Sequence, residues 1–286
     1  MASVAIVIPC YNTSKYVNRT IESALLQTGV NYEIVAVDDG STDNTLSIIK
    51  TYEPHVRVLT HQGNANLGQS ASLNLAIENT ESEFIAFLDS DDIWYQGKLE
   101  KQVGIFNKFP NVGLVYTGGH VIDECDNVLY NLFPKGFVET NSVGSILLNC
   151  YIRTPSSVMV RRDILREVGN FDTGLTITDH DMWVRMSETT KFCYLPDALT
   201  GYRQRLGQLS SKRSQWEEGF IVLNKSCKRF SYGWRLRAMR LAVLHYRLGK
   251  HDFYSKKYTT SFYNFMMAML YDPIRSLNAI KNTIVN

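Results

Sequence analysis

Along the first 110 residues the apolar positions fall into short unbroken runs separated by stretches with helical spacing. Residues 4–9 read VAIVIP, mostly β-branched and without a polar break, the pattern of a strand covered on both faces. Thr13 or Ser14 stands where a helix cap is expected, ahead of Val17, Ile21, Ala24 and Leu25 at helical spacing, and Gly29 is placed to end that helix. Three further strand and helix pairs are predicted: 34–37 with 44–52, 56–60 with 70–79, and 84–88 with 98–109. Strands alternating with helices predict an α/β fold with a mainly parallel sheet flanked by helices.

Residues 112–205 mix shorter elements, with strands predicted at 113–116, 156–160 and 192–195. Beyond Lys212 the pattern turns helical. Trp216, Phe220, Leu223, Cys227 and Phe230 form one stripe, and Leu236, Met239, Val243 and Tyr246 a second. Gly249 breaks that pattern. Tyr254, Tyr258, Phe262, Phe265 and Met269 then make a third stripe before Pro273. These stripes read as the packed faces of three or four helices. The organisation expected is an α/β domain over 1–210 and a helical region over 211–286.

Composition adds a constraint and an asymmetry. Hydrophobic residues at 44% and charged residues at 20% exclude a disordered or fibrous chain. The net charge of +2 hides a split: residues 1–200 carry 14 Lys plus Arg against 24 Asp plus Glu, while 201–286 carry 16 against 4. An acidic body suggests a need for a cation, and a basic end could meet phosphates or an anionic membrane surface. The five cysteines form no C-x-x-C pair and indicate neither a disulfide framework nor a zinc site. No basic leader and no apolar run of bilayer length is visible, so the expected location is the cytoplasm, with peripheral contact at the inner membrane face through the basic helices. Nothing points to a nucleic-acid partner.

In an open α/β sheet the ligand crevice lies beyond the carboxyl ends of the strands, and here those positions are polar. They are Cys10, Tyr11 and Asn12 after the first strand, Asp38 and Asp39 after the second, the loop GNANLG (63–68) after the third, and Asp89, Ser90, Asp91 and Asp92 after the fourth. Five carboxylates converging on one edge would repel one another unless a cation neutralises them. No G-x-G-x-x-G follows the first strand, and Gln69 stands where a P-loop needs Lys, so neither a dinucleotide fold nor a P-loop is present. Residues 89–100 touch the Ca²⁺-loop pattern at three acidic positions, but Trp94 occupies its obligatory glycine. A diphosphate could instead be bridged through Mg²⁺ or Mn²⁺ held by Asp89, Asp91 and Asp92. His61 and His180 lack a partner at ligand spacing and read as ordinary hydrogen-bonded residues.

Five segments, VAIVIPCYN (4–12), EIVAVDDGSTDNT (33–45), NLGQSASLNLAI (66–77), FIAFLDSDDIWYQGKLEKQV (84–103) and TDHDMWVRM (178–186), resemble in order and spacing the family 2 inverting nucleotide-sugar glycosyltransferases, which have the GT-A fold. The resemblance covers about residues 1–210 and leaves the helical tail unexplained. It implies that Pro9, Tyr11 and Asp39 hold the nucleotide base and ribose, that Asp38 orients the loop, and that Asn66 and Gly68 let the backbone approach the sugar phosphate. Asp89, Ser90 and Asp91 would form the Asp-x-Asp element on the metal and diphosphate, with Asp92 a further candidate ligand. The catalytic base of the family sits in a Glu-Asp pair, here Thr178-Asp179, so Asp179 is the expected base and the Glu is lost. The segment GYRQRLGQLS (201–210) resembles the flexible loop after the acceptor site, with Arg203 and Arg205 as its cations toward the diphosphate.

The function so implied is transfer of a sugar, with inversion and with Mn²⁺ or Mg²⁺, from a nucleoside-diphosphate sugar, UDP-sugar first, to a hydroxyl of a glycan or lipid-linked acceptor, as in polysaccharide biosynthesis. Two alternatives stand beside it. One is a nucleotide-sugar-binding protein without catalysis, suggested by Thr178. The other is a haloacid-dehalogenase-like phosphatase, whose Asp-x-Asp would follow the first strand and not the fourth.

Overall fold

A computed structural model describes residues 3–205 and 213–285. Strand β1 (Ser3–Cys10) lies at the middle of the parallel part of the sheet, because its side chains are apolar on both faces and both faces are covered. It pairs in parallel with β2 (Asn31–Asp38) and β4 (Phe84–Phe87), and β2 pairs with β3 (Arg57–Thr60). Between these strands run α1 (Val17–Leu25), α2 (Thr45–Lys50) and α3 (Gln69–Glu78), as the alternating pattern predicts. Ile6, Ile8, Ile34 and Phe84 pack with Val17, Ile21, Ile49 and Phe106 in one core. Each such side chain, fully buried, contributes about 1.5–3 kcal/mol.

The second half of the sheet is longer than its periodicity suggested. After β5 (Ile93–Trp94) and α4 (Lys98–Lys108), β6 spans Val112–Ile122, β7 Val128–Asn131, β8 Val158–Arg161 and β9 Lys191–Arg203. Among the described residues the order is β3-β2-β1-β4-β8-β6-β9-β5, with β7 pairing in addition with the 120–122 end of β6. Strand β8 is antiparallel to both neighbours, whereas β6 and β9 are parallel. Between these strands in the chain come α5 (Val143–Leu148), α6 (Arg162–Val168) and α7 (Thr178–Thr189).

The helix cap expected at Thr13 or Ser14 does not form. Helix α1 begins at Val17 without a side-chain cap, because the Thr13 hydroxyl donates to Ser90 Oγ (3.0 Å), across to the loop after β4. The same helix ends at Leu25, and Gly29 (φ +81°) serves the turn into β2 instead.

The described residues divide into two compact units, one within Met1–Asn141, Ile152–Met182 and Thr189–Leu206, the other within Ser142–Tyr151, Trp183–Glu188 and Gly207–Asn286. The second unit is thus more than the tail. It holds α8 (Ser214–Arg229), α9 (Trp234–Tyr254), α10 (Tyr258–Tyr271) and α11 (Pro273–Val285). Gly249 does not break α9. A Cβ there would lie 2.6 Å from the Phe265 ring, so the glycine is what lets α9 and α10 approach. The third stripe is not a core face either: Phe265 is buried, but Tyr254, Tyr258 and Phe262 are exposed.

Candidate active site

Register brings the strand ends together. Cys10 lies opposite Asp38 and Asp38 opposite Thr60, while Val7 lies opposite Phe87, so Asp89 leaves the sheet near the level of Pro9. Pro9 is half-buried and Tyr11 exposed at this edge. Asn12 adopts a left-handed conformation (φ 50°) and its Oδ1 accepts from Thr42 N (2.8 Å), which joins the loops after β1 and β2.

The two aspartates after β2 differ. Asp38 is fully buried; one oxygen accepts from Ser41 N (3.0 Å), and Oδ1 has no hydrogen-bond partner. Asp39 is the clasp of the 63–68 loop: Oδ1 accepts from Leu67 N (2.8 Å), Oδ2 from Gly68 N (2.9 Å), and its carbonyl from Asn66 Nδ2 (2.9 Å). His61 Nε2 stands 3.4 Å from Asp39 Oδ1 and 2.9 Å from Ser72 Oγ, the ordinary hydrogen-bonded role expected of it. The loop seats directly on Gly40 (φ +71°), where a Cβ would come within 2.6 Å of Asn64 O.

The turn after β4 sorts its three carboxylates by direction. Asp89 N donates to Ser156 Oγ (2.9 Å), and Asp89 Oδ1 accepts from Gln69 Nε2 (2.9 Å), at the start of α3. Asp91 is half-buried and pairs through Oδ2 with Arg205 Nε at 2.6 Å. Asp92 turns inward. It is buried, Oδ1 accepts from Arg203 N (2.8 Å) and Oδ2 from Thr154 Oγ1 (3.0 Å). Thr20 Oγ1 donates to the carbonyls of Ser90 (3.0 Å) and Asp92 (2.8 Å) and fixes the turn from below. Asp92 therefore belongs to the support of the turn, and the three-carboxylate ligand set expected from the sequence does not face one point. Among the described residues no three His, Cys, Asp or Glu side chains gather where they could hold a metal ion.

Arg203 is committed in the same way. Its guanidinium is fully buried, donating from Nε to Asp91 O (2.7 Å) and from Nη1 to Asp123 O (2.7 Å), and pairing with Asp126 (2.5 Å). The sequence assigned it to the diphosphate; the structure spends it on tying the 123–126 turn to the aspartate turn. Arg205 stays half-exposed at the rim. The remainder of the basic loop, 206–210, lies outside the described residues.

Asp179 opens α7 with Thr178, which is buried. Its Oδ1 accepts from His180 N (2.8 Å), as a first-turn carboxylate does at a helix N-terminus. Burial raises its pKa above the ordinary aspartate range. Burial likewise raises Asp89 well above that range, with the charges of Asp92, Asp91 and Asp179 adding to it. Helix α3 aligns the two: Gln69 reaches Asp89, Ser70 Oγ donates to Asp172 O (3.0 Å), and Asn74 exchanges hydrogen bonds with the backbone of Phe171 (2.8 and 2.9 Å), in the segment that leads into α7.

Sequence reasoning missed the residues under the turn: Thr13, Thr20, Gln69, Thr154, Ser156 and Lys98. Lys98 looks like a surface residue at a helix start, yet it is fully buried, with Nζ donating to Gln102 Oε1 (2.7 Å) and lying 4.1 Å from the Trp94 ring. Trp94 Nε1 in turn donates to Ser156 O (2.7 Å), the residue whose hydroxyl holds Asp89 N.

A mixed sheet with an aspartate turn beyond its fourth strand and a carboxylate at the start of α7 is the arrangement that the GT-A resemblance implies. Residues 5–169, more than half of the chain, match the model of Glycosyl transferase family 2, and the chain belongs to that family. It is 33% identical over 226 residues to a glycosyltransferase of Rickettsia felis, which covers 77% of this chain and 37% of the relative. It is 30% identical over 237 residues to chondroitin synthase of Escherichia coli, 79% of this chain and 33% of that one. The chain thus spans about a third of the length of these two relatives. The structure of S. aureus TarS 1–349 superposes with a TM-score of 0.71 at 18% identity, covering 96% of this chain and 82% of that one. TarS 1–349 is also known in complex with UDP-GlcNAc (TM-score 0.68, 18% identity, 96% and 83% covered). The mannosyltransferase PcManGT of Pyrobaculum calidifontis, in complex with GDP-Man and Mn²⁺, superposes with a TM-score of 0.65 at 16% identity, covering 99% and 84%.

Proposed function

We propose that this glycosyltransferase uses a divalent metal to move a sugar, with inversion, from a nucleoside-diphosphate sugar, UDP-sugar first, to a hydroxyl of a glycan or lipid-linked acceptor. The observation that carries this reading is that one helix, α3, holds Asp89 through Gln69 and, through Ser70 and Asn74, the 171–172 segment that leads to Asp179. The family membership and the nucleotide-sugar complexes of the structural neighbours support it, and leave the phosphatase alternative without support.

Asp89 and Asp91 would hold the ion. Their hard oxygens would suit Mg²⁺ or Mn²⁺. Such an ion supplies positive charge to the departing diphosphate. Pro9, Tyr11 and Asp39 border the space for the base and ribose, with Asp38 behind them. Asn66 and Gly68 hold the loop against Asp39, and Arg205 stands beside Asp91 as the cation for the phosphates. Ser90 anchors the turn through Thr13 and Thr20.

Asp179 accepts the proton of the attacking acceptor hydroxyl as the new bond from oxygen to the anomeric carbon forms. The bond from that carbon to the diphosphate oxygen breaks, and its electron pair leaves with the nucleoside diphosphate. The raised pKa of Asp179 suits a base that must hold the proton it receives. Attack in line with the leaving group inverts the anomeric carbon.

Calorimetric titration of UDP, dTDP, GDP and CMP, each with and without Mn²⁺, tests the donor site. Metal-dependent binding of one diphosphate is expected; binding of none would refute the nucleotide-sugar reading. Asp179→Asn should lower kcat by about 10²- to 10⁴-fold with donor affinity nearly unchanged, and near-normal transfer by that variant would remove Asp179 as the base. Asp91→Ala should abolish the Mn²⁺ dependence of nucleotide binding.

A further inference from the structure

Helix α10 carries no charged residue in its fourteen positions. Tyr258, Phe262, Met266 and Leu270 recur every four residues along it and, with Tyr263, form a single apolar and aromatic stripe. That stripe faces solvent: Phe262 is 68% exposed, Tyr263 60% and Leu270 73%. Tyr254 at the end of α9 and Ile274 and Leu277 on α11 add 58%, 76% and 54% exposed side chains. Monomeric soluble domains rarely leave so many neighbouring large apolar groups in water.

The charge around the stripe selects its occupant. Residues 250–286 contain the cations Lys250, Lys256, Lys257, Arg275 and Lys281 against only two acids, Asp252 and Asp272. Asp252 is buried and paired with Arg213 (2.9 Å), and Asp272 is taken up by Arg275, through its backbone N (3.3 Å) and its guanidinium (3.8 Å). Lys256, Lys257 and Lys281 are exposed. No exposed acid is left in this stretch to complement a basic partner, while the cations complement an anionic surface. The side chains are also those of an interface between water and lipid: tyrosines with an apolar body and a polar tip, Phe and Leu beyond them, lysines at the margin.

We propose that the exposed face of α10, continued onto α11, lies on an anionic lipid bilayer, with Phe262, Met266 and Leu270 in the acyl boundary and Lys256, Lys257 and Lys281 at the headgroups. The chain holds no helix, among the described residues, long and apolar enough to cross a membrane, so the contact is one of lying on the surface. This inference does not depend on the glycosyl-transfer chemistry and can fail without affecting it.

The test is co-sedimentation of the full chain with vesicles of phosphatidylcholine alone and of phosphatidylcholine with phosphatidylglycerol at about 7:3, at low and high salt, for wild type and for Phe262→Ser/Leu270→Ser. Wild type should sediment with the anionic vesicles and much less with the neutral ones, and high salt should weaken it. The double variant should lose a factor of about 100 or more in partitioning, since two large apolar side chains no longer enter the bilayer. Its circular dichroism and nucleotide binding should match wild type, because both residues are exposed. Wild type remaining in the supernatant with every vesicle would overturn the proposal, as would equal partitioning of the double variant. Light scattering supplies a third outcome: self-association of wild type, abolished in the variant and indifferent to lipid, would make this face a contact between copies and refute the lipid assignment.

Discussion

Replacing Lys98 by Met should change how stability responds to pH by an amount that follows from one ammonium group. Burial pushes the pKa of Lys98 well below the usual lysine range, with a single hydrogen bond to Gln102 and the Trp94 face as its compensation. In the unfolded chain it titrates near 10.4, so between the lowered folded value and that point the unfolded state binds one more proton than the folded state. Stability contributed by the neutral folded form is therefore full above the unfolded pKa and is lost as pH falls toward the folded one. The slope is about 1.4 kcal/mol per pH unit for one group. Met keeps most of the side-chain volume and cannot be protonated, so every other titrating group cancels in the difference between the two proteins. Denaturant unfolding at several pH values from 7 to 10 should show wild type gaining on Lys98→Met as pH rises, at up to that slope, with the difference flattening wherever the folded lysine is itself charged. Parallel stability curves across the whole range would show that Lys98 titrates as an exposed lysine does, and would refute its assignment as a desolvated support of the aspartate turn.

Asp92→Ala should lower thermal stability, since Arg203 N and Thr154 Oγ1 lose the buried acceptor they share; calorimetry with an unchanged Tm would contradict that role. Gly40→Ala should destabilise the protein and weaken nucleotide binding together, because the added methyl meets Asn64 O at 2.6 Å in a left-handed backbone; unaltered binding would show that the 63–68 loop is not part of the donor site. Gly249→Val should cost about 1–3 kcal/mol by driving into the Phe265 ring, measured as a loss of stability with donor binding retained.

The parallel half of the fold was legible because its signal is local. β1, β2 and β4 each carry an apolar run buried on both faces, and the helices between the strands keep helical spacing, so the strand ends and their polar residues could be placed from the chain alone. Strands β6 and β9 were underestimated because Gly118, Gly119, Pro196 and Asp197 interrupt their apolar pattern, where the register between the two shifts. Helix α9 was cut short at Gly249 because a glycine that permits close packing looks, in sequence, like one that ends a helix. The stripe of α10 was read as core for the converse reason: periodicity reports that a helix has an apolar face and not what covers it.

At the site, the sequence named the carboxylates but not their directions. Asp89, Asp91 and Asp92 are chemically equal in a string of letters. What separates them is Arg203 N, Thr154 and Gln69, which lie 111, 62 and 20 residues away in the chain. Arg203 was misjudged for the same reason, since an arginine after a strand looks free until its partners at Asp91, Asp123 and Asp126 are seen.

The inward aspartate also bears on how screens of variants are to be interpreted. A survey scored only by loss of sugar transfer would rank Asp92 with Asp89 and Asp91, three consecutive sensitive acids in one motif, and the pattern would look like a trio of ligands. On the proposed function, two of these positions would fail because a cargo is no longer gripped, the third because the hand itself has lost its shape. Scoring the same library for abundance or melting would separate them, since only the Asp92 variants should be depleted in both.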